Sequence, residues 1–549
     1  MRNVYIVFLA SNDLGFRRLI MPLGPLAVAV AVRRSASFKS DDLLFICDTF
    51  REVLHKAERH KNDRVFFLAS SMQLIRGVNQ ETNPAILYGK TLKSRFPNVI
   101  SCVGGPDVSL NHDDYLAHFD LVFQGEIGTT DLLDLIGSGV RSFNSPAPAD
   151  MNAEVFDYEL LRGKKYLAGT LQTTRGCPFD CSFCNIGHIY GRGVRTIDPD
   201  LLERRLESLA TIHRGFVIFG DDNFGGGIED KILEFLDVII RFQERRRYPF
   251  VFGIQVSLNV ARYPEVMKKL REANVTAAFV GVESPSEEAL AASRKRQNLW
   301  GPMPEQVETF VRHGIVPYLS FILGLDREPE DVGRRLRDLL DICQTPFLML
   351  NLINPVIGSR FRAKAAAAGR LLDHPLYFRY NLMPLKTGRP YAKIVEDYGA
   401  LLAWFYDSRR LLRYCGNLER KRKDARDPRI QRLFMAHVSW FLILKLFGFY
   451  AGICLKSGAL TGLFKTIKLI GRPKAEVLDF LLIRGTALGS KRSMAQAVRK
   501  VRAGLDGLRK SALYPYDIPG DSRRTLSSGA TARPIDKRSC SRAGMGTSQ

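Results

Sequence analysis

Short apolar runs that alternate with helical stretches constrain the fold of this chain most strongly. Between residue 1 and about residue 135, apolar runs such as NVYIVFLAS, DLLFICD and RVFFLASS are separated by stretches of helical character. Apolar runs bounded by turns, without polar alternation, are typical of strands that are covered on both faces. We therefore predict an α/β protein with parallel sheets.

The same alternation continues in a second segment. Six further strands are predicted there, with helices such as DLLERRLESLATIH between them. The six predicted strands cover 168–174, 216–220, 250–257, 276–283, 316–324 and 347–353. Parallel strands joined by crossover helices can curl into an open, partial barrel, which carries its chemistry at the carboxyl ends of the strands.

These patterns divide the 549 residues into five parts. A linker is predicted from the composition of GSGVRSFNSPAPADM, and the last part is poor in bulky apolar residues, which predicts disorder. The predicted parts are a Rossmann-like domain at 1–137, the linker at 138–164, a partial (β/α)6 barrel of the TIM type at 165–385, a helical basic region at 386–515 and a tail at 516–549.

Three cysteines follow the first strand of the second segment. Cys177, Cys181 and Cys184 have the spacing CxxxCxxC, which suits an iron–sulfur cluster or zinc. A cubane [4Fe–4S] cluster takes four ligands, so three cysteines leave one iron open for a substrate. A zinc site would instead add His188 as its fourth ligand. The other cysteines are scattered, which favours a reducing cytoplasm over a disulfide framework.

The cysteine spacing, the aromatic residue before the third cysteine and the barrel pattern together resemble the radical SAM superfamily. The resemblance implies a [4Fe–4S] cluster whose open iron binds S-adenosylmethionine (SAM), and a 5′-deoxyadenosyl radical that abstracts a hydrogen atom from the substrate. It also implies an electron donor such as a flavodoxin or ferredoxin. The residues expected to bind SAM are Phe183, Gly220, Asp221, Asp222, Ser257, Glu283 and Gly324.

The stretch GDDNFGGG departs from the Gly-Gly-Glu that the family usually has at this strand end. Asp221 or Asp222 could accept hydrogen bonds from the amino group of SAM in place of that glutamate. The alternative is that the two aspartates cap the next helix. Glu283 lies in an apolar strand and therefore needs a partner, for which SAM or a substrate is one candidate.

Residues 1 to 135 resemble the cobalamin-binding domain that precedes the barrel in one radical SAM subfamily. The resemblance rests on LASSM, VGGPDVS and FQGEIGTTDLLDLI. No histidine stands two residues after an aspartate, so the cobalt ligand of the Asp-x-His motif is not expected. The residues that this resemblance implies for cobalamin binding are Ser70, Ser71, Gly104, Gly105, Gly125 and Glu126.

Two longer stretches, QTTRGCPFDCSFCNIGHIYGRGVRT and FVGVESPSEEALAASRKRQN, are similar to the branch that contains hopanoid methylases. This implies a cobalamin-dependent methyltransferase that acts on an unactivated carbon of a hydrophobic or lipid-like small molecule, with no nucleic-acid partner. A radical SAM oxidative cyclase without methyl transfer is the alternative. A zinc-stabilised nucleic-acid-binding protein is a third interpretation, from another class.

Positive charge is concentrated near the end of the chain, whose net charge is +23. Residues 401–549 contain 30 Lys and Arg against 10 Asp and Glu, and 433–456 is a long apolar and aromatic stretch. A buried bundle helix and an interfacial segment both fit this pattern, whereas Lys445 disfavours a membrane span. The interfacial alternative predicts a cytoplasmic protein in peripheral contact with the inner membrane face.

Overall fold

Two six-stranded parallel sheets organise the chain, together with a two-stranded antiparallel sheet. They are seen in a computed structural model, and the predicted α/β class with two parallel sheets is confirmed. The tail at 516–549 and residues 438–456 of the apolar stretch lie outside the described part. The described residues are 2–10, 20–71, 83–145, 148–154, 156–372, 377, 382–425, 427–437, 484 and 495–508.

The N-terminal sheet has the strand order β2-β1-β3-β4-β5-β6. Alternate residues of its strands enter two separate cores: Tyr5 and Val7 pack on one face, Ile6 and Phe8 on the other. This explains the continuous apolar runs, since both faces are covered by helices. The strands are β1 (Asn3–Ala10), β2 (Leu43–Cys47), β3 (Arg64–Ser71), β4 (Ile100–Gly104), β5 (Leu121–Gln124) and β6 (Ser142–Asn144).

Strand β6 lies inside the stretch that was predicted to be a linker. It pairs in parallel with β5, and the ring of Phe143 packs 5.3 Å from that of Phe123. A three-residue edge strand flanked by Gly, Ser and Pro leaves little signal in composition, which explains the difference. The helices of this domain are α1 (Leu23–Arg34), α2 (Phe50–Arg59), α3 (Pro84–Arg95), α4 (Pro106–Leu110), α5 (Asp113–Leu116) and α6 (Leu132–Gly137).

The second sheet has the order β14-β13-β12-β11-β10-β7, with all pairs parallel. Its six strands match the six predicted ones to within a few residues. The strands are β7 (Ala168–Leu171), β10 (Gly215–Phe219), β11 (Phe250–Ser257), β12 (Val275–Glu283), β13 (Val316–Leu323) and β14 (Leu348–Leu352), and the antiparallel pair is β8 (Thr174–Arg175) with β9 (Arg195–Thr196).

Helices connect successive strands of the second sheet, as the crossover pattern predicts. They are α7 (Ile186–Ile189), α8 (Pro199–Ile212), α9 (Glu229–Arg245), α10 (Pro264–Glu272), α11 (Glu287–Ala292), α12 (Met303–Arg312) and α13 (Val332–Cys343), and α14 (Arg360–Ala367) follows the last strand.

The segment between β1 and α1 joins the two domains. Ile20 forms a parallel bridge with Ala168 of β7. The amide of Met21 donates to the carbonyl of Ala168 (3.1 Å), and Thr170 Oγ1 donates to the carbonyl of Met21 (3.0 Å). The N-terminal domain therefore continues the edge of the second sheet beyond β7.

The C-terminal region is helical, as predicted. Its helix α16 lies near the amino ends of β13 and β14, where Arg422 donates to the carbonyl of Gly314 (2.9 Å) and Tyr414 donates to Asp341 (2.6 Å). No helix in the described part of the chain is long and apolar enough to cross a membrane. The helices here are α15 (Tyr391–Phe405), α16 (Ser408–Ala425) and α17 (Pro428–Met435), followed by helical residues 495–508.

Candidate functional site

The three predicted cysteines lie in one loop between β8 and α7, at the carboxyl end of the second sheet. All three are free thiols; Cys184 is exposed and the other two are partly exposed. Two neighbouring segments hold the loop in place. The amide of Ser182 donates to the carbonyl of Ser293 (2.9 Å), and the amide of Phe361 donates to the carbonyl of Ser182 (2.7 Å).

Each of the three sulfurs has an N–H donor. Backbone amides donate to two of them, Phe179 to Cys177 and Ile186 to Cys184. Gln297 Nε2 lies 3.5 Å from Cys181 Sγ. Donors of this kind stabilise thiolate ligands, so the loop fits an iron–sulfur cluster.

The geometry does not favour the zinc alternative. Among the described residues, no three His, Cys, Asp or Glu side chains converge as a single metal ion requires. The His188 ring packs on Gly358 so closely that a Cβ there would lie 2.5 Å from it. A cubane has a different requirement, because each cysteine binds its own iron.

The two adjacent aspartates after β10 have different roles. The Asp221 carboxylate is buried and accepts from the amides of Thr173 (2.7 Å) and Thr174 (3.2 Å), and from the Thr173 hydroxyl. Asp222 Oδ2 accepts from the amide of Gly176 (3.1 Å), and no described residue donates to its Oδ1. Neither aspartate caps a helix, since α9 begins at Glu229 after Ile228. Asp221 thus holds the start of the cysteine loop, while Asp222 has an oxygen available.

Burial raises the pKa of Asp222 to about 6, and the neighbouring Asp221 adds to that rise. A partly buried carboxylate with an unused acceptor at a strand end suits a cationic ligand, which would favour its charged form. The amino group of SAM is such a ligand.

Glu283 has a partner that the sequence analysis did not identify. Lys295 Nζ lies 3.2 Å from Glu283 Oε1 and 3.3 Å from Ser257 Oγ, and all three side chains are buried. Glu283 has a φ of +70°, at an irregularity in the pairing of β12 with β13. A Cβ on Gly281 would lie 2.6 Å from Glu283 Oε1, so glycine is needed for this approach.

Three other residues predicted to bind SAM have mainly structural contacts. Gly324 has a φ of +93° and donates to Glu328 Oε2 (2.9 Å). The amide of Gly220 donates to the carbonyl of Leu171 (2.7 Å). Phe183 is partly buried against the hydrophobic core.

Residues predicted for cobalamin lie at the carboxyl ends of β3, β4 and β5. Ser71 is buried and donates to Asp107 (3.3 Å). Gly105 has a φ of +108°, and a Cβ there would lie 2.5 Å from the Ser71 carbonyl oxygen. The amide of Gly125 donates to Ser109 Oγ (2.9 Å). The turn after β4 therefore requires glycine at position 105, while Gly104 has only ordinary contacts.

Glu126 differs from the rest of this group, because its carboxylate pairs with two arginines. Arg175 Nη1 lies 2.5 Å from it, and Arg195 binds both of its oxygens. Arg175 also pairs with Glu154 at 2.6 Å. Burial acts to raise the pKa of Glu126, but the two arginines hold it below its usual range. These pairs join the two domains, and they argue against the expected contact of Glu126 with cobalamin.

The carboxyl edges of the two sheets meet at the start of α1. A Cβ on Gly24 would lie 2.8 Å from Ser70 Oγ, at the end of β3. A Cβ on Gly220, after β10, would lie 3.7 Å from Leu23. Helix α4, which follows β4, contacts α7, which follows the cysteines. The predicted cobalamin edge therefore faces the cysteine loop.

Comparison with known proteins agrees with this geometry. The profile of the radical SAM superfamily matches residues 171–340, which include the cysteine loop and most of the barrel. Residues 171–340 are a radical SAM domain. The resemblance inferred from the cysteine spacing is confirmed, and a radical SAM domain implies a [4Fe–4S] cluster and SAM.

Relatives of the radical SAM domain include the hopanoid C-2 methylase of Rhodopseudomonas palustris (strain TIE-1), which is 32% identical over 280 residues. That match covers 49% of this chain and 53% of the methylase, so it spans about half of that relative.

Two solved structures share the fold. Radical SAM methyltransferase TsrM from Kitasatospora setae, with cobalamin and a [4Fe–4S] cluster bound, has a TM-score of 0.53 at 13% identity and covers 72% of this chain and 82% of its own. The cobalamin-dependent radical enzyme OxsB, with aqua-cobalamin and SAM bound, has a TM-score of 0.55 at 12% identity. That match covers 93% of this chain and 82% of the OxsB chain. At these identities the comparison establishes the shared fold.

The hydrogen bond of Gln297 to Cys181 leads to a prediction about the cluster. Gln297→Leu removes an N–H donor. Such a donor stabilises the reduced cluster, which is more negative, more than the oxidised cluster. We expect a more negative midpoint potential with the iron content retained, measured by redox titration with EPR detection. Gln431→Leu, on the distant helix α17, is the control. An unchanged potential in Gln297→Leu would show that this contact does not tune the cluster.

Proposed function

We propose that the chain is a radical SAM enzyme that uses cobalamin to methylate an unactivated carbon of a hydrophobic or lipid-like substrate. The observation that carries the proposal is the meeting of the two carboxyl edges at Leu23 and Gly24. A methyl carrier on the N-terminal sheet would there lie beside the site where a substrate radical forms. Sheets of this strand order bind ligands at their carboxyl ends.

Different residues at the carboxyl edge of the barrel would bind the cluster and SAM. Cys177, Cys181 and Cys184 would ligate three irons, and the bound cluster supplies the electron that cleaves SAM. Asp222 would accept hydrogen bonds from the SAM amino group. Ser257, held by Lys295, would face the ribose of SAM. The Ser257 and Lys295 side chains are buried, so water is excluded from their hydrogen bond.

On the N-terminal sheet, the turn at Gly104 and Gly105 would allow a flat cofactor to approach the backbone. Ser70 stands at the end of β3, next to Gly24. Bound cobalamin supplies a transferable methyl group; the protein's part is to hold it against the barrel.

The inner face of the barrel carries one exposed apolar side chain beside polar ones, which gives an apolar substrate a point of contact. In β14, Leu348 and Leu350 are buried, whereas Met349 is 38% exposed. Met349 is in register with Ser320, Gly281 and Ser257 across the sheet, so its side chain shares the face of the proposed SAM residues. The hopanoid methylase relative is consistent with a lipid-like molecule at this face.

Anaerobic reconstitution tests the proposal. The protein would be supplied with iron, sulfide and cobalamin, then incubated with methyl-labelled SAM, a reductant and total lipid extract. Mass spectrometry is expected to find a labelled methyl group on a lipid product, together with 5′-deoxyadenosine. 5′-Deoxyadenosine with a dehydrogenated or cyclised product and no label would indicate the oxidative alternative. A colourless protein with one zinc and no iron would exclude both.

A further inference from the structure

Exposed arginines surround the outer side of the cysteine loop. Asp180, the residue before Cys181, pairs with Arg294 (2.8 Å), Arg360 (3.1 Å) and Arg192 (3.6 Å). The arginine side chains are 53%, 46% and 67% exposed, so the cluster faces solvent. One carboxylate cannot neutralise three guanidinium groups, and a net positive charge remains.

A fourth arginine adds to this charge. Arg296 is exposed and has no ion pair among the described residues. We call Arg192, Arg294, Arg296 and Arg360, together with Asp180, the basic surface. Four positive charges are balanced there by one negative charge.

Several exposed arginines elsewhere in the described barrel are paired with carboxylates. On α9, Arg245 pairs with Glu203 and Glu207, and Arg246 pairs with Glu207. On α13, Arg334 pairs with Asp331 and Asp338. Other exposed arginines, such as Arg204 and Arg241, also have no ion pair among the described residues, so it is the position beside the cysteine loop that distinguishes the basic surface.

The basic surface is immediately next to the proposed cluster. Asp180 adjoins Cys181 in the chain, and Gln297, which follows Arg296, donates to Cys181 Sγ at 3.5 Å. The carbonyl of Ser293, next to Arg294, accepts from Ser182 in the cysteine loop. A protein that binds these arginines would thus lie within a few residues of the sulfur ligands.

We propose that the basic surface is the docking site of an acidic one-electron carrier protein that reduces the cluster. This rests on the proposed function, because that chemistry consumes an electron. The carrier loses one electron and the cluster gains one, with no atom transferred. Opposite charges raise association rates by about 10- to 1,000-fold at low salt, and the effect decreases with ionic strength.

The location favours a redox partner over other anions. An anionic membrane or a nucleic acid would gain nothing from closeness to Cys181, whereas electron transfer depends on a short separation. The neighbouring apolar pair Leu299 (36% exposed) and Trp300 (43% exposed) can add contact area beside the charges. Aromatic residues and arginine are enriched at protein interfaces.

The double variant Arg192→Glu/Arg296→Glu tests the proposal. It keeps Arg294 and Arg360, which form the two shorter pairs with Asp180 and hold the loop. 5′-Deoxyadenosine formation would be measured with dithionite and, separately, with a range of concentrations of reduced acidic flavodoxin. We expect a rate within about 2-fold of wild type with dithionite, and a flavodoxin KM raised about 10-fold or more at low salt.

Arg245→Glu/Arg246→Glu is the matched control, with the same charge change at similar exposure (49% and 54%) on α9. It should leave the flavodoxin KM unchanged. An unaltered KM in the Arg192→Glu/Arg296→Glu variant, or an equal increase in the control, would overturn the docking site. If the variant kept an unaltered flavodoxin KM but lost binding to anionic vesicles, the docking site would be overturned and the basic surface would be assigned to membrane contact.

Iron and sulfide contents are measured for every variant. If Arg192→Glu/Arg296→Glu loses its cluster, Arg192→Gln/Arg296→Gln takes its place. We then expect a smaller increase in the flavodoxin KM, and an unaltered KM would again overturn the docking site. Wild-type protein that makes no 5′-deoxyadenosine with dithionite would instead contradict the proposed function, so the two failures are distinguishable.

Discussion

Cys181→Ala is expected to reduce 5′-deoxyadenosine formation to background. The substitution removes one of the three proposed sulfur ligands and leaves the Gln297 amide without its acceptor. Two thiolates from one loop cannot hold a cubane whose fourth iron must stay free. The measurements are iron and sulfide content, the EPR spectrum of the reduced protein, and 5′-deoxyadenosine by chromatography.

Cys343→Ala is the matched control for Cys181→Ala. Cys343 is a buried cysteine at the end of α13, outside the cysteine loop, so its loss changes packing but removes no proposed ligand. It should retain iron and product formation. If Cys181→Ala still formed 5′-deoxyadenosine above background, the assignment of the cluster to this loop would be wrong.

Arg175→Met should have the largest effect on stability. The Arg175 side chain, which is 11% exposed, lies between Glu126 and Glu154; its loss leaves Glu126 with Arg195 and Glu154 with no ion pair among the described residues. Removing one partner of a buried ion pair typically costs about 3–5 kcal/mol. We expect a lower denaturant midpoint, measured by circular dichroism, and increased proteolysis between the domains.

Two variants distinguish charge from packing in the Arg175 prediction. Arg175→Met/Glu154→Gln should recover part of the loss, since it removes one unpaired charge. Arg162→Met, in an exposed pair with Glu159, should leave the midpoint nearly unchanged. An equal decrease for Arg162→Met and Arg175→Met would contradict the role of the buried network.

The same network predicts loss of stability in acid. The pKa of Glu126 is lower in the folded protein than its usual value of 4.5, so its pairs stabilise the fold above about pH 4.5. This contribution decreases as the pH falls toward the folded pKa. Between pH 5 and pH 3, Arg175→Met should therefore lose less stability than the wild type.

The sequence allowed the strands and the cysteine loop to be predicted because both depend on local order. Strand β3 was predicted at its observed bounds, Arg64–Ser71, since every second residue had to face a different core. The loop with Cys177 was placed at a strand end because parallel strands share one carboxyl edge. Neither inference requires knowledge of which distant segments touch.

Partners between distant segments could not be predicted. Glu283 was recognised as needing a partner, but Lys295 reaches it only because the chain reverses after α11. Asp221 and Asp222 look equivalent in sequence; the approach of Thr173 and Thr174 to Asp221 leaves Asp222 as the carboxylate with an available oxygen. Glu126 was assigned to cobalamin from the resemblance of FQGEIGTTDLLDLI, and its pairing with Arg175 could not be predicted because it depends on how the two domains meet.

The hydrogen bonds between Met21 and Ala168 have a consequence for how the barrel can be isolated. Strand β7 ends the second sheet, and residues 20 and 21 provide the neighbour on its outer side. A protein that began after the linker would present the polar edge of β7 to solvent. Unpaired edges invite self-association through added strands. We therefore expect the barrel to self-associate when it is made without the N-terminal domain, so the two are best purified as one piece.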